Sequence, residues 1–273
     1  MTASTRVTAK STQVTAKANY RRVFFALVRR DVLVTRGELG TLIAQGLTMP
    51  FLLLFIFGKV VTGMGMADES YAQVLYPGMI AMVTMAGALQ SSALPLVIDF
   101  ATGKEIEDRL LAPVPTWLVA VEKIVFAGLR GMFTAALMVP IVVLVLGPQS
   151  VTATGVAVAV VTVVIGGLLG AAIGIALGTA VTPRRITMMF ALILTPMTFT
   201  GGAQYPLLEL GHVRWFQVLS ALNPMTYFSE SIRGALAPEI PHLNPWLSMG
   251  VLVACTVLFG AVAVRGFLRR AVA

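Results

Sequence analysis

Six long apolar runs constrain this chain more than any other feature of its sequence. They cover about 39–60, 75–98, 118–146, 151–181, 186–205 and 246–267, and each comes near the ~20 residues that a helix needs to cross a bilayer. Charged residues make up only 12% of the chain, where a soluble domain carries roughly 25%. This argues against a soluble enzyme, a disordered protein and a disulfide scaffold. It predicts an all-α polytopic membrane protein with six transmembrane helices.

The distribution of Lys and Arg predicts how these spans are oriented. Eight of these residues precede the first run, and seven more lie in 99–117, in 182–185 and in the C-terminal tail. The connections on the opposite side carry only Lys59, Arg214 and Arg233. Because basic residues concentrate in cytoplasmic loops, we expect both termini in the cytoplasm of a chain that spans the cytoplasmic membrane. The net charge of +8 then reflects topology and does not indicate a nucleic-acid partner.

Two segments precede the first span. Residues 1–18 are rich in Ser and Thr, contain no acidic residue and are interpreted as a disordered cytoplasmic tail. Residues 19–37 place apolar and basic side chains on separate helical faces. We therefore expect an interfacial amphipathic helix whose arginines contact membrane lipid, with a plain basic flank of the first span as the alternative. The six-span domain then covers 38–273.

The sequence predicts no catalytic site and no metal site. It contains neither a GxxxxGK[ST] motif that would bind ATP phosphates nor a GxSxG nucleophile elbow. His212 and His242 lack Cys or carboxylate residues at metal-ligand spacing, so we interpret them as solvated loop residues. A single cysteine, Cys255, excludes an intrachain disulfide.

The connection after the second span carries a short charged segment, IDFATGKEIEDRLLAPVP at 98–115. A mixed-charge helix with an apolar ridge suits insertion into a groove on a partner protein. A solvated turn that merely links two spans is the alternative. The predicted contact residues are Lys104, Glu105, Ile106, Glu107, Asp108, Arg109 and Leu110, of which Ile106 and Leu110 form the ridge.

Uncharged polar residues inside the second and fifth runs predict a substrate pathway. Polar side chains are costly at membrane depth, although Ser and Thr can bond to their own helix. No charge lies near the middle of these two runs, which argues against a proton relay or an ion pore and favours an apolar or amphipathic substrate. The candidate pathway residues are Gln90, Ser91, Ser92, Thr198, Thr200 and Gln204.

Two further patterns predict local structure. Glycines repeat every four residues in the fourth run, which lets another helix approach closely, within the subunit or across a dimer; they are Gly166, Gly170, Gly174 and Gly178. The connection at 206–245 is too long to lack structure of its own. We expect short external helices there that dip into the outer interface, where their backbone groups stay hydrogen-bonded.

Three segments together resemble the permease subunits of type-2 ATP-binding-cassette exporters, a group that includes daunorubicin-type drug efflux permeases. The segments are YAQVLYPGMIAM at 71–82, ATGKEIEDRLLAPVPTW at 101–117, and 199–236 with Asn223, Pro224, Thr226, Tyr227 and Arg233-Gly234. One departure is the run from Lys104 to Asp108, where the family commonly carries Gly-Thr-Leu-Glu. Partner choice is therefore expected to differ.

The resemblance implies a subunit that pairs with a second permease, identical or paralogous, and with two separate ATPase subunits. ATP and Mg would bind to those partners, so no cofactor is expected in this chain. Residues 103–112 would be the coupling helix, the 19–37 helix would rest on the same ATPase, and 206–236 would cap the outer side. The expected cap residues are Trp215, Asn223, Pro224, Tyr227 and Arg233.

Several functions stay open from the sequence. Efflux of a drug or antibiotic is what the resemblance implies first, and export of a lipid or glycolipid by the same architecture is the alternative. From other classes, an intramembrane lipid-modifying enzyme would need a catalytic constellation, and a passive channel or scaffold would work without an ATPase.

Overall fold

The computed structural model describes residues 46–68, 70–102 and 115–272, together with residues 28, 29, 40 and 44. Every regular element within this part of the chain is helical. In chain order the helices are α1 (Gly46–Val61), α2 (Tyr71–Thr102), α3 (Thr116–Leu146), α4 (Ala153–Ala180), α5 (the consecutive segments Ile186–Met189, Phe190–Leu194 and Thr195–Thr200), α6 (Arg214–Ala221), α7 (Pro224–Leu236) and α8 (Pro245–Val272).

Four of these helices, α2, α3, α4 and α8, are long and apolar enough to cross a membrane. Their apolar stretches measure 30, 31, 28 and 27 residues, and they coincide with the second, third, fourth and sixth apolar runs. The predictions of an all-α chain and of a membrane-integral protein are confirmed to this extent. The first run appears as the shorter apolar helix α1 over its described part. Six spans and cytoplasmic termini stay predictions.

The fifth apolar run does not form a helix over its whole predicted length. Helix α5 ends at Thr200, and Gly201 and Gly202 form a turn in which Gly202 has a φ of +66°. Glycine adopts that left-handed conformation without the steric cost that other residues pay. Gln204, which the sequence places inside the fifth run at 186–205, follows this turn and is not part of the α5 helix.

Helix α2 forms the centre of the bundle and packs against α3, α4 and α7. Its core-facing side chains are fully buried, as Met79, Met85 and Leu89 illustrate. The α3–α4 connection, the start of α2 and the end of α7 meet at one end of the bundle, called here the α3–α4 end. The connection from Val181 to Arg185 lies at the opposite end, the α4–α5 end, where α8 also terminates.

Three predicted segments lie outside the described residues. They are the N-terminal tail at 1–18, nearly all of the interfacial helix at 19–37, and the coupling segment at 103–112.

Candidate functional site

A cavity of about 300 Å³ lies between α1, α2 and α5. Its lining contains no charged residue and is largely apolar. The lining side chains from α1 and α2 include Met49, Leu53, Met82, Val83 and Gln90, and those from α5 and the following turn include Leu194, Thr195, Thr198, Phe199 and Gln204. Such a lining, apolar with a few polar groups, is the usual chemistry of a small-molecule site.

Three of the six predicted pathway residues, Gln90, Thr198 and Gln204, meet in this cavity. The Thr198 hydroxyl donates to the Thr195 carbonyl oxygen at 2.9 Å, so its hydrogen is used within α5 while its oxygen can still accept a hydrogen bond. No hydrogen bond joins the amide of Gln90 or of Gln204 to another described residue. These two amides are thus available to a molecule that enters the cavity.

The other three predicted pathway residues lie elsewhere. Ser92 is buried between α2 and α4, where its hydroxyl bonds the carbonyl oxygens of Leu89 and Ala171, each at 3.0 Å. Ser91 is half-buried and does not line the cavity. Thr200 donates to the carbonyl of Pro196 and accepts from Nδ2 of Asn223, each at 2.9 Å, which links the end of α5 to the start of α7.

The predicted glycine stripe of α4 lies within the subunit. A Cβ atom on Gly170 would lie 2.6 Å from the carbonyl oxygen of Met85, and one on Gly174 would lie 2.4 Å from that of Leu89. Gly178 makes a similar approach to α2 at 3.1 Å, and Gly166 faces the ring of Phe228 in α7 at 2.3 Å. Since a side chain at Gly170 or Gly174 would clash with the α2 backbone, these two positions let α2 lie close to α4. This fixes the α2 wall of the cavity.

The segment after α5 folds into the two helices α6 and α7. Asn223 begins α7, because its Oδ1 accepts from the backbone N–H of Met225 at 2.9 Å and Pro224 follows at the first helical position, a favourable start for a helix. The Tyr227 hydroxyl donates to the Ala221 carbonyl at 2.9 Å. Trp215 on α6 is 71% exposed. Four predicted cap residues therefore lie together in this segment.

The fifth cap residue, Arg233, forms a buried ion pair with Glu230, and both side chains are 0% exposed. Nη2 of Arg233 also donates to the carbonyl of Gly202 at 2.6 Å. The two carboxylate oxygens of Glu230 accept from the backbone N–H groups of Leu207 at 3.1 Å and Leu243 at 2.8 Å. Burial lowers the pKa of Arg233, and the Glu230 carboxylate opposes that shift.

This pair is named here the 230–233 clamp, and it ties the turn after α5 and the connection before α8 to α7. The sequence prediction included Arg233 but missed Glu230. The Glu-x-x-Arg spacing could have predicted this ion pair, because it places the two side chains on one face of a helix.

Two contacts join helix ends at the α4–α5 end of the bundle. Lys123 of α3 and Asp99 of α2 form an ion pair at 2.8 Å. Nη1 of Arg270 donates to three carbonyls at the end of α4, between 2.8 and 3.0 Å, and its guanidinium lies 4.7 Å from the ring centre of Phe100. The last helix and α3 are thereby fastened to the part of α2 that precedes the predicted coupling segment.

That segment itself, with Lys104, Glu105, Ile106, Glu107, Asp108, Arg109 and Leu110, lies outside the described residues. Its docking role stays a prediction. No group of three or more metal-ligating side chains occurs in the ranges that the structure describes.

Comparisons with known proteins give a consistent picture. A sequence model of the family described as "ABC-2 type transporter" matches residues 22–237. The chain is 31% identical over 224 residues to "Inner membrane transport permease YadH" of Escherichia coli K12, which covers 80% of this chain and 84% of that permease. It is 29% identical over 232 residues to "Putative transport permease ycf38" of Cyanophora paradoxa, with coverage of 77% and 72%.

Proposed function

Since the chain belongs to the ABC-2 type transporter family of membrane permeases, we propose that it is the permease subunit of an exporter. It moves an apolar or amphipathic compound, a drug or antibiotic of the daunorubicin type, out across the cytoplasmic membrane. The observation that carries this proposal is the uncharged cavity between α1, α2 and α5 with its two unpaired amides, Gln90 and Gln204. Its volume of about 300 Å³ is at the small end of the range for ligand sites, and a second permease chain completes it.

The energy comes from two separate ATPase subunits, which bind ATP and Mg. In each, ATP binding favours one packing of the permease helices, and residues 103–112 carry that bias into the membrane. The Asp99–Lys123 ion pair supports this route. Because it joins the helices on either side of the coupling segment, a force on that segment acts on α2 and α3 together.

The first test of the proposal is a pull-down of the tagged full-length chain from its native membrane, with ATPase activity measured in the eluate. We expect a cassette ATPase to co-purify and to be lost when residues 103–110 are scrambled while the chain still inserts. Elution of the chain alone under gentle detergents, without ATPase activity, would contradict the exporter assignment. The same eluate shows whether a second permease is identical or paralogous.

The cavity is tested by two threonines with the same local bonding. Thr198 bonds its own helix and lines the cavity, whereas Thr256 bonds the carbonyl of Leu252 in α8 at 2.8 Å and lies outside the cavity. We expect Thr198→Val, and more strongly Gln90→Leu with Gln204→Leu, to reduce ATP-driven uptake of daunorubicin into inside-out vesicles. Thr256→Val is the control and should transport normally. Equal transport by all variants would show that the cavity is not the pathway.

Six spans and cytoplasmic termini are part of the proposal. In a chain whose Cys255 is replaced by Ser, a cysteine introduced at Ser150 should react with an impermeant maleimide on intact cells. A cysteine introduced at Arg185 should react only after the membrane is opened. Both positions are exposed and lie at opposite ends of the bundle, so the reverse pattern would invert the topology.

A further inference from the structure

A second and larger cavity opens at the α3–α4 end of the bundle, with a volume of about 1150 Å³. It is separate from the cavity between α1, α2 and α5, with which it shares no lining residue. Four helices contribute to its wall, with the ends of α1, α3 and α7 and the start of α2, and the α3–α4 connection up to Thr152 completes it. The volume is slightly above the ~300–1,000 Å³ that is usual for ligand sites.

The wall of this cavity combines satisfied and unsatisfied polar groups. Tyr76 donates its hydroxyl to the carbonyl of Leu236 at 2.6 Å, and Thr152 accepts from the backbone N–H of Gly155 at 3.1 Å. These bonds hold α2 to α7 and start α4, so they shape the wall. The side-chain amide of Gln73 has no hydrogen-bond partner among the described residues. It is free to bond an occupant.

The cavity also contains one cation and one anion that do not neutralise each other. Lys59 comes from the end of α1 and Glu239 from the connection after α7. Neither forms an ion pair with any residue that the structure describes. An occupant that carries both a negative and a positive group would pair with Lys59 and with Glu239. A singly charged occupant would leave one of these two residues without a partner.

The rim of the cavity is apolar and faces outward. Val151 belongs to the lining and is 43% exposed, and Leu144, which precedes the lining residues Val145 and Leu146, is 83% exposed. In a membrane-integral chain such exposed side chains contact lipid tails. A molecule with its polar part in the cavity can therefore lay an apolar part along α3 without leaving the bilayer, which favours a lipid-linked occupant over a free polar solute.

We propose that this cavity binds the zwitterionic headgroup of an amphiphile of the phosphoethanolamine type. Lys59 pairs with the phosphate, Glu239 pairs with the ammonium group, Gln73 adds a hydrogen bond, and the acyl chains follow the apolar rim. This inference goes beyond the transport function. It depends neither on which compound is exported nor on the orientation of the chain in the membrane.

The test is native mass spectrometry of the purified full-length chain with added lipid. The probes are phosphatidylethanolamine, phosphatidylglycerol with the same acyl chains, and free phosphoethanolamine. We expect the wild-type chain to retain phosphatidylethanolamine preferentially and not to retain the free headgroup. Lys59→Met and Glu239→Gln should each weaken that binding by up to about fivefold, the effect of losing an exposed ion pair.

Matched controls separate this site from general charge effects. Arg214→Met and Glu209→Gln remove the same charges from exposed positions outside the cavity, and both should bind like the wild type. The exchange Lys59→Glu with Glu239→Lys should restore part of the binding, because both charges remain in the cavity. Equal losses in the controls, or equal retention of the two lipids, would overturn the proposal. So would binding that depends on Lys59 alone, which would indicate an anionic occupant, or retention of free phosphoethanolamine, which would indicate a soluble one.

Discussion

The 230–233 clamp gives the sharpest prediction about stability. Glu230→Gln would leave the buried Arg233 guanidinium with the Gly202 carbonyl but without its ion-pair partner. It would also place an amide N–H₂ against one of the two backbone donors that the carboxylate now binds. Arg233→Met would leave a buried carboxylate that still accepts from two backbone N–H groups. Either change removes one partner of a buried pair.

The magnitude follows from the burial of both groups. Removing one partner of a fully buried ion pair costs about 3–5 kcal/mol, because the remaining charge loses its compensation. The double variant Glu230→Gln with Arg233→Met removes both charges, so its cost should fall short of the sum of the single costs by about 2–3 kcal/mol. Arg214→Met, an exposed arginine in the same segment, is the control and should change stability by less than about 0.5 kcal/mol.

The assay is thermal unfolding in detergent, followed by the reaction of Cys255 with a thiol-reactive fluorophore. Cys255 is the single cysteine of the chain and is half-buried in α8. For either single variant we expect the unfolding midpoint to fall by roughly 6–20 °C, from about 2–4 °C for each kcal/mol. If the double variant loses as much as the two single variants together, the two side chains do not act as a pair and the reasoning fails.

Three further predictions use the same assay. Gly174→Ala should lower the stability by about 1–3 kcal/mol, since a Cβ there would lie 2.0 Å from Oγ of Ser92 and packed cores resist added atoms. Gly250 has open space around it, so Gly250→Ala is the control and should leave the stability unchanged. Equal effects of the two changes would contradict the packing argument. Arg270→Ala should lower the stability by about 1–2 kcal/mol, because its contacts with the carbonyls at the end of α4 are lost. Its neighbour Arg269 is exposed, so Arg269→Ala should leave the stability unchanged. A larger loss of stability for Arg269→Ala than for Arg270→Ala would refute the capping role. Asn223→Ala should cost about 1–2 kcal/mol, and an unchanged midpoint would show that Pro224 alone starts α7.

The sequence was informative wherever the physics is local. Apolar length alone located α2, α3, α4 and α8, because a helix in hydrocarbon must satisfy its own backbone and present apolar side chains over its full length. The glycine spacing in α4 predicted close helix packing, and in the structure Gly170 and Gly174 lie against the backbone of α2, since small residues at one interval act through backbone geometry. Where a glycine pair ends a helix, as after Thr200, hydrophobicity overestimated the helix, because it does not register backbone conformation.

The non-local contacts were beyond the sequence. Glu230 bonds Leu207 and Leu243 across the turns on either side of α7, and no spacing rule links positions that are 23 and 13 residues apart. Lys123 lies inside the third apolar run, where the sequence indicates no partner for its charge, and the structure shows that this partner is Asp99. Such pairings depend on how whole helices pack against one another, and this packing cannot be read from a single sequence.

Helices α1 and α5, which form two walls of the uncharged cavity, contain π-helical segments, unlike α2, which forms the third wall. Helix α1 contains a π-helical segment at Ile56–Val61, and α5 contains another at Phe190–Leu194. A π-helical turn widens the helix and weakens its regular hydrogen bonding, and such turns concentrate at functional sites. Helix α2, in contrast, is fixed against α4 by glycine contacts at which no side chain would fit. We therefore expect any change in the size of the cavity during transport to come from α1 and α5 shifting relative to α2, while α2 and α4 move as one packed unit.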